Sequence, residues 1–536
     1  MISRQFQSVN HRPRCMAAAW HDLRRIRCWS WGGLIVMACA AMGPTATMAR
    51  AAKDRPNVIV ILADDLGYND ISLHGNNMLS TPNIDSLAAD GARFTRGHTT
   101  NATCSPSRAG MITGRHQQRF GYEFVVIPPL FVRAFDGTLG EEQGNIIIDI
   151  PPEKRVPAAE MGVPTSEITL AEVLKQHGYR TGVIGKWHMG SAKKFQPANQ
   201  GFDHFVGFYP GAALFDERDD PDVVNAKLPW DGIDQFLWRA LSNSLIRNGQ
   251  SFQPDKYMTD VFADEGVQFI EENSDRPFFL YMAFNAPHTP LQAPRRLYDK
   301  LSHIEDHKTR VYCAMIESVD EAVGKLLAKL KESGLDENTL VVFSSDNGAA
   351  PYTRIPHCNL PFRGSKATYY QGGVVVPFLV RWPKVIKPRT VIDAPVSLLD
   401  IFPTAVAAAG AKLPSDRTID GVSLLPLLRG EVAERPHRAL VWRSGKYKAV
   451  LAGEYRLQLD ETQGKVMLYN IQDDVGERTN LADAMPEKVS ELKSLIRRAE
   501  QEFVEPAWQT PVYSRVPADI WPDGAPQDAE FVYFPI

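Results

Sequence analysis

Carboxylate and amide side chains follow two apolar segments of the chain, in positions that could hold a metal ion. The run NVIVILADD ends on Asp64 and Asp65, and the run TLVVFSSDNG carries Asp346 and Asn347 just before a glycine. Clustered carboxylates repel one another unless a cation neutralises them, and a set of oxygen ligands suits Ca²⁺ or Mg²⁺ rather than zinc. Either pair alone could be a helix cap or a turn, but the two pairs together favour a metal.

Cationic or protonatable side chains follow two further apolar runs. RTGVIGKWH ends on Lys186 and His188, PFFLYMAFNAPH ends on His288, and Lys366 lies further along the chain. A metal site next to two lysines suits an anionic substrate, whose oxygens would be held between the metal and the ammonium groups. Solvated lysines, a core histidine and a histidine that caps a turn are the alternatives for these residues taken singly.

Cys104 lies directly before SPSRAGMITG, in which Pro106 and Gly114 bracket a predicted short helix. A helix N-terminus lowers the pKa of a thiol and attracts anions, and Arg108 lies one turn further along the same face. From chemistry alone, Cys104 could therefore be a thiolate nucleophile. A buried free thiol, or a disulfide partner of Cys358, are the alternatives that the residues leave open.

The elements that would position these side chains alternate between short apolar runs and helical patterns. Helices are predicted over 166–178, with a cap at Thr165 or Ser166, and over 310–334, which ends at Gly334. This alternation predicts an α/β fold with a large, mostly parallel mixed sheet sandwiched by helices. Because ligands bind beyond the carboxyl ends of parallel strands, the runs that end in reactive residues predict an active site at that edge.

The pattern changes after residue 430. Residues 438–471 contain several strand-like pieces, and a charged helix follows over roughly 485–503. We therefore predict a leader over 1–51, a catalytic domain over 52–430 and a smaller C-terminal α+β subdomain over 431–536, with an antiparallel sheet and a packed helix. Residues 122–163, rich in Pro and Gly, are expected to form a long loop near the site.

Residues 1–51 have the composition of a secretory signal peptide. They carry seven Arg and one acidic residue, and their apolar run is too short and too rich in Gly to favour a stable membrane span. We expect a secreted or periplasmic protein; a signal anchor, or lipoprotein anchoring at Cys39, is the alternative. Removal of this segment shifts the net charge from −4 to about −10, which argues against a nucleic-acid partner. Three cysteines remain, and an odd, sparse set is not a disulfide framework.

Two segments of the chain resemble the signature motifs of the type I sulfatases, formylglycine-dependent enzymes of the alkaline phosphatase superfamily. They are CSPSR (104–108), followed by TGR (113–115), and GYRTGVIGKWH (178–188). The resemblance extends from about Arg55 to the C-terminal helix. It implies that a formylglycine-generating enzyme oxidises Cys104 to formylglycine (3-oxoalanine) and reads Ser105 to Arg108 as its tag. Cys104 would then be the precursor of the nucleophile and would not act as a thiol.

The same resemblance implies a role for each matching position. One Ca²⁺ ion would be bound by Asp64, Asp65, Asp346, Asn347 and the modified residue 104. The aldehyde hydrate would offer one hydroxyl to attack the ester sulfur and a second that, deprotonated with help from His188, expels sulfate. Arg108 would hold the hydrate, Lys186 and Lys366 would clamp the sulfate oxygens, and His288 would protonate the leaving alcohol.

We therefore expect an exported sulfuric ester hydrolase that acts on sulfate monoesters of carbohydrates or polysaccharides. A phosphonate monoester or phosphodiester hydrolase that uses the same formylglycine site is the alternative, and an inactive binding protein is a third possibility that no residue supports. Specificity is expected in loops 122–163, 208–255 and 350–362. The candidate sugar contacts there are Arg133, Asp216, Trp230, Trp238, Arg354 and His357.

One residue departs from the family pattern. Gln371 stands in RGSKATYYQGG at a position where the family usually has a Glu before paired glycines. We expect this change to affect local packing or hydrogen bonding and to leave the role of Lys366 in place.

Overall fold

A computed structural model of the chain describes residues 55–126 and 144–536. The described residues belong to one compact unit, Ala51–Ile536. The predicted signal peptide, including Cys39, and the candidate contact Arg133 lie outside the described residues. The predicted domain boundary after residue 430 stays a prediction.

Twenty strands form within the described ranges. They are β1 (Asn57–Ala63), β2 (Ala92–His98), β3 (Ile146–Ile147), β4 (Arg180–Lys186), β5 (His204–Phe208), β6 (Val223–Ala226), β7 (Leu245–Arg247), β8 (Gln250–Phe252), β9 (Phe278–Ala283), β10 (Leu291–Pro294), β11 (Thr339–Ser345), β12 (Val375–Arg381), β13 (Thr390–Ile392), β14 (Val396–Ser397), β15 (Leu440–Ser444), β16 (Tyr447–Ala452), β17 (Tyr455–Asp460), β18 (Lys465–Asn470), β19 (Val512–Pro517) and β20 (Phe531–Pro535).

The α-helices of the described ranges are α1 (Pro82–Ala89), α2 (Cys104–Thr113), α3 (Leu170–Gln176), α4 (Met258–Glu272), α5 (Arg295–Lys300), α6 (His307–Glu332), α7 (Gln371–Val374), α8 (Ile401–Ala408), α9 (Leu425–Leu428) and α10 (Pro486–Glu500). Short 3-10 turns and one π turn, Ile233–Leu237, lie in the connections. None of the helices in these ranges has the length and hydropathy needed to cross a membrane.

The large sheet has eleven strands, in the order β13-β2-β12-β11-β1-β9-β4-β5-β7-β8, with β14 paired to β2. Its five central strands, β11, β1, β9, β4 and β5, are all parallel. Strand β12 pairs antiparallel with both β11 and β2, and β7 pairs antiparallel with β5. The predicted fold class, a mostly parallel mixed sheet between helices, is confirmed.

Strand β1 shows why the core has two halves. All seven of its residues are buried, and the side chains of consecutive residues point to opposite faces of the sheet. Ile59 and Ile61 pack into a core that includes α4 and α6, whereas Val58 and Val60 pack into a second core that includes α2, α3 and α8. A continuous apolar run is therefore required here, because neither face of the strand contacts water.

Residues 440–470 form the predicted antiparallel sheet, β15-β16-β17-β18. Helix α10 packs on one face, where Leu492 and Ile496 contact Val450 and Leu457. The other face packs against the segment that carries Tyr369 and against the last strands of the chain. Strand β19 pairs with both β20 and β3 in a further three-stranded sheet, which the sequence did not predict.

Two details of the helix predictions are corrected. Helix α3 begins later than expected: its cap is Thr169, whose hydroxyl accepts from the backbone N–H of Glu172, while the Glu172 side chain accepts from the Thr169 N–H. This reciprocal pair satisfies two backbone donors at the start of the helix. Helix α6 ends at Glu332, and Gly334 adopts the left-handed conformation just beyond it.

Candidate functional site

The register of the central strands brings the predicted carboxylates together. Ala63 at the end of β1 pairs with Ser345 at the end of β11, so Asp64 and Asp346 leave adjacent strands side by side. Both carboxylates are fully buried. The backbone N–H of Asp65 donates to Asp346 Oδ1 at 3.2 Å. The predicted gathering of these groups at the carboxyl edge of the sheet is what the structure has.

A guanidinium group neutralises one of these carboxylates. Arg108, on the buried face of α2, donates to Asp346 Oδ2 through Nε at 2.8 Å and lies 2.7 Å from it through Nη2. Nη1 also donates to the backbone oxygen of Lys186. Burial opposes the charged form, but the charges of Asp346 and Asp64 outweigh it and raise the pKa of Arg108 above its ordinary value. Arg108 is therefore a fixed charge between the strand ends.

Two lysines pair with the carboxylates that follow β1. Lys186 Nζ, at the end of β4, donates to Asp64 Oδ2 at 2.6 Å, and both side chains are fully buried. Lys366 Nζ donates to Asp65 Oδ2 at 2.9 Å. Burial would raise the pKa of Asp65, but the charges of Lys366 and Lys186 dominate and hold it well below its usual range. Each carboxylate of the cluster thus has its own cation.

The predicted histidines lie at the same cluster. His288 Nε2 is 3.7 Å from Asp65 Oδ2, and its Nδ1 lies 2.6 Å from the backbone oxygen of Thr289. Burial lowers the pKa of His288 to about 3, and Lys366 and Lys186 add to the effect while Asp65 opposes it. The imidazole is therefore neutral near pH 7.

Helix α2 begins at Cys104 itself, earlier than the prediction that placed Pro106 near the first helical position, and Gly114 closes the helix in the left-handed conformation as predicted. The Cys104 Sγ lies 3.4 Å from His188 Nδ1. Burial raises the pKa of the Cys104 thiol, which outweighs the opposing charges of Lys186 and Lys366. The expectation that the helix N-terminus makes this thiol a ready thiolate is therefore wrong for the unmodified side chain.

The backbone and the ring of His188 are both closely constrained by their surroundings. Its backbone has a positive φ of 52°, and burial together with the charges of Lys186 and Arg108 lowers its pKa well below the ordinary value. A Cβ at Gly211 would lie 2.7 Å from the His188 ring, so only glycine allows the imidazole to lie where it does. His188 thus faces Cys104 as a neutral base.

The residues around Asp64 fit a divalent cation. Asp64 Oδ1 and Asn347 Oδ1 are buried oxygens that accept no hydrogen bond from any described residue. Ligand atoms of Asp64, Cys104 and Asp346 lie within 4.8 Å of one another, as do those of Asp64, Asp65 and His288. Buried oxygens are rarely left without a partner, and a hard cation such as Ca²⁺ or Mg²⁺ would satisfy both.

Tyr352 belongs to the cluster, although the sequence did not single it out. Its hydroxyl donates to Asp65 Oδ2 at 2.8 Å and accepts from Lys366 Nζ at 3.1 Å. No pattern marks this tyrosine, since it lies on a short turn, Pro351–Thr353, in an irregular loop. Tyr281 on β9, which accepts from Arg108 at 3.3 Å, was missed for a related reason, because it reads as an ordinary residue of a buried strand.

A cavity of about 870 Å³ opens above the cluster. Its floor includes Cys104, His188, His288 and Lys366, and its walls include Trp230 and Arg354. Other walls come from segments 125–126, 210–213 and 231–244, and from residues 514–525 of the C-terminal region. The cavity is large enough for more than one sugar ring.

The predicted sugar contacts divide into two groups. Trp230 and Arg354 line the cavity, whereas Asp216, Trp238 and His357 do not. Gln371 is buried behind the site: its backbone N–H donates to Glu477 Oε2 at 2.6 Å, and its side chain donates to the Val475 backbone oxygen at 3.0 Å.

Cys313 and Cys358 are buried free thiols and are not paired in a disulfide with each other or with Cys104. The alternative in which Cys104 bonds to Cys358 is therefore wrong. The two thiols pack in the core that includes α6, on the Ile59 side of the sheet.

A buried cluster of carboxylates and cations below an open cavity suits the hydrolysis of an anionic ester. Comparison with known proteins gives the same class. The sulfatase family profile matches residues 56–411, and a second profile, N-sulphoglucosamine sulphohydrolase, C-terminal, matches residues 365–505. The chain belongs to the sulfatase family, whose members hydrolyse sulfate esters, and it is a sulfuric ester hydrolase.

Similar proteins include an N-acetylgalactosamine-6-sulfatase and a steryl-sulfatase. N-acetylgalactosamine-6-sulfatase of Canis lupus familiaris is 32% identical over 436 residues, which cover 80% of this chain and 75% of the relative. Steryl-sulfatase of Mus musculus is 33% identical over 446 residues, covering 72% and 67%. The crystal structure of Ps i-CgsB is 30% identical with a TM-score of 0.72, and the match covers 85% of this chain and 94% of that chain.

Proposed function

We propose that this protein is an exported sulfatase that removes sulfate from sulfated carbohydrates, using a formylglycine made from Cys104 and one bound Ca²⁺ ion. The observation that carries the proposal is the position of Cys104. It starts α2 next to His188 and shares a possible metal site with Asp64 and Asp346. This is the arrangement that a nucleophile activated by a metal and assisted by a base requires.

Four side chains at the ends of β1 and β11 would hold the ion, together with residue 104. They are Asp64, Asp65, Asp346 and Asn347. Asp64 Oδ1 and Asn347 Oδ1, buried oxygens that accept no hydrogen bond from a described residue, support the assignment. The ion would lower the pKa of the attacking hydroxyl and draw charge from the sulfate oxygens.

The cations around residue 104 would hold the sulfate group. Lys186 and Lys366 each present an ammonium group beside a carboxylate of the cluster, at 2.6 and 2.9 Å. Their charges would bind the non-bridging oxygens, which carry the negative charge of the ester. Arg108 would fix the side chain of residue 104. Its guanidinium is held in place by the hydrogen bond to Asp346, and Arg108 is a buried residue of the same helix, α2.

The two histidines would move protons. His188 would accept a proton from residue 104, because its neutral Nδ1 faces that side chain at 3.4 Å. His288 would donate to the leaving oxygen. Its pKa of about 3 means that the bound negative sulfate must first raise the pKa before the ring can act as an acid.

Two observations support a carbohydrate substrate. The cavity of about 870 Å³ is larger than a sulfate group needs, and its wall carries Trp230 with the Arg354 guanidinium stacked on the ring at 3.8 Å. Among the relatives, one is named an N-acetylgalactosamine-6-sulfatase. A second crystal structure of Ps i-CgsB, with a TM-score of 0.71, holds that protein in complex with k-i-k-neocarrahexaose. Maturation would require a formylglycine-generating enzyme, and export would follow from the predicted signal at residues 1–51.

The test is sulfate release by protein that is co-produced with a formylglycine-generating enzyme. A panel of sulfated glycans is assayed beside an aryl sulfate, a phosphodiester and a phosphonate monoester, and peptide mass verifies the aldehyde at residue 104. We expect sulfate release from at least one glycan and complete loss in Cys104→Ala. Cys313→Ala, which removes another buried thiol, is the matched control and should keep activity.

Two results would contradict the proposal. Cleavage of the phosphodiester or the phosphonate without sulfate release would assign the alternative activity. Sulfate release that persists in Cys104→Ala would show that residue 104 does not supply the nucleophile.

A further inference from the structure

One guanidinium group on the cavity wall has no hydrogen-bond or ion-pair partner among the described residues. Arg354 lies with its Cζ 3.8 Å from the centroid of the Trp230 ring. No carboxylate of the described chain lies within ion-pair distance of it, and its guanidinium donates no hydrogen bond to a described residue. By contrast, Arg363 forms ion pairs with both Asp519 and Glu530.

The local structure holds Arg354 in this position. The Trp230 indole donates to the backbone oxygen of Tyr352 at 2.8 Å, which fixes the ring under the guanidinium. Lys308 Nζ donates to the Arg354 backbone oxygen at 3.0 Å. A Cβ at Gly524 would lie 3.3 Å from the guanidinium, so the C-terminal region also packs closely against Arg354. Arg354 is thus pre-positioned, with donors that the protein does not use.

The surroundings leave this positive charge uncompensated. Burial lowers the pKa of Arg354, and the opposing charge of the exposed Asp523 does not cancel the effect. Lys308 adds a second cation 5.9 Å from the same Trp230 ring. Arg515 lines the same cavity, lies on Phe531 with its Cζ at 4.0 Å from the ring centroid, and also lacks an ion-pair partner among the described residues.

We propose that Arg354 binds a second anionic group of the substrate, a sulfate or carboxylate on a sugar ring next to the one that is desulfated. This inference rests on the proposed sulfatase function and names the substrate class: an oligosaccharide with at least two negative charges. The reacting sulfate is assigned to Lys186 and Lys366, so a guanidinium elsewhere in the cavity requires another anion. A planar guanidinium matches the two oxygens of either group in a bidentate contact.

The test uses three oligosaccharides built on the glycan that releases sulfate in the panel. All carry the reacting sulfate; the second adds a sulfate on the neighbouring ring, and the third adds a carboxylate there. We expect Arg354→Gln to lower kcat/KM on the doubly charged compounds about 10- to 100-fold more than on the singly sulfated one, mainly through KM. Arg354→Lys should restore part of the difference, and the two doubly charged compounds distinguish the two anions.

Arg310→Gln is the matched control, because Arg310 also lies on an aromatic ring, that of Tyr298 at 3.9 Å, but does not line the cavity. It should leave the preference for doubly charged compounds unchanged. Calorimetric binding of the same compounds to Cys104→Ala, with and without Arg354→Gln, gives a readout that is independent of turnover.

The inference is overturned if Arg354→Gln lowers kcat/KM and affinity equally for all three compounds. That result would leave the sulfatase function intact. If the wild-type enzyme releases no sulfate from any glycan of the panel, the proposed function itself fails, and the inference fails with it.

Discussion

The metal site makes a prediction that does not depend on turnover: Ca²⁺ should raise the melting temperature, and Asn347→Ala should abolish the shift. The variant removes an unpartnered ligand oxygen, Asn347 Oδ1, and the hydrogen bond from Nδ2 to Asp65 at 2.7 Å. Free Ca²⁺ at about 100 times its Kd stabilises the folded state by about 2.7 kcal/mol. A unit of roughly 485 residues unfolds with an entropy near 1 kcal/mol per degree, so the shift should be about 3 °C.

The measurement is thermal unfolding of the chelator-treated protein with and without Ca²⁺, and with Mg²⁺ in parallel. Asn273→Ala is the control, because Asn273 is also buried and donates to the backbone of Phe269 at 2.8 Å, at the end of α4. It should lower the melting temperature but keep the Ca²⁺ shift. The reasoning is refuted if Asn347→Ala keeps the full shift, or if neither ion shifts the wild-type protein.

Two further substitutions test contacts that the structure adds. Tyr352→Phe removes the hydroxyl between Asp65 and Lys366 and should lower kcat/KM about 10- to 100-fold, the effect of losing hydrogen bonds to charged groups; an unchanged kcat/KM would exclude a role for this hydroxyl. His437 hydrogen-bonds to the buried Asp400, which outweighs burial and raises the pKa of His437. The stabilisation of the folded state by protonated His437 should therefore be complete below about pH 6.5 and decline as the pH rises through the folded-state pKa. The difference in melting temperature between wild type and His437→Gln should accordingly shrink from about pH 5.5 to about pH 8.5. A difference that grows with pH would contradict this assignment.

The site residues that follow strands could be predicted from the sequence for a specific reason. A buried parallel strand appears as an unbroken apolar run, so the residue after the run marks the edge of the sheet. Parallel pairing then brings those edges together, as the pairing of Ala63 with Ser345 places Asp64 beside Asp346. The site residues could therefore be predicted without knowing the order of the strands in the sheet.

The residues that the sequence did not reveal lie where no periodicity exists. Tyr352 belongs to an irregular loop, and Arg515 lies on β19, which pairs with the last strand of the chain, β20, and with the two-residue strand β3. The position of such residues is set by tertiary contacts, such as the Trp230 indole that bonds to the backbone of Tyr352. The N-terminal cap of α3 was predicted at the wrong residue for a similar reason. Several Ser and Thr residues precede that helix, and only the reciprocal hydrogen bonds with Glu172 identify Thr169 as the cap.

The charge balance of the site links metal binding to substrate binding. Three buried carboxylates face three cations, in the pairs Asp64 with Lys186, Asp65 with Lys366 and Asp346 with Arg108. Without a metal these charges cancel, so the site attracts an anion only weakly, whereas a divalent cation gives it a net positive charge. Inorganic sulfate should therefore raise the melting temperature more in the presence of Ca²⁺ than after chelation, and by reciprocity sulfate should tighten Ca²⁺ binding. Equal stabilisation by sulfate under both conditions would mean that the lysines bind the anion without help from the metal.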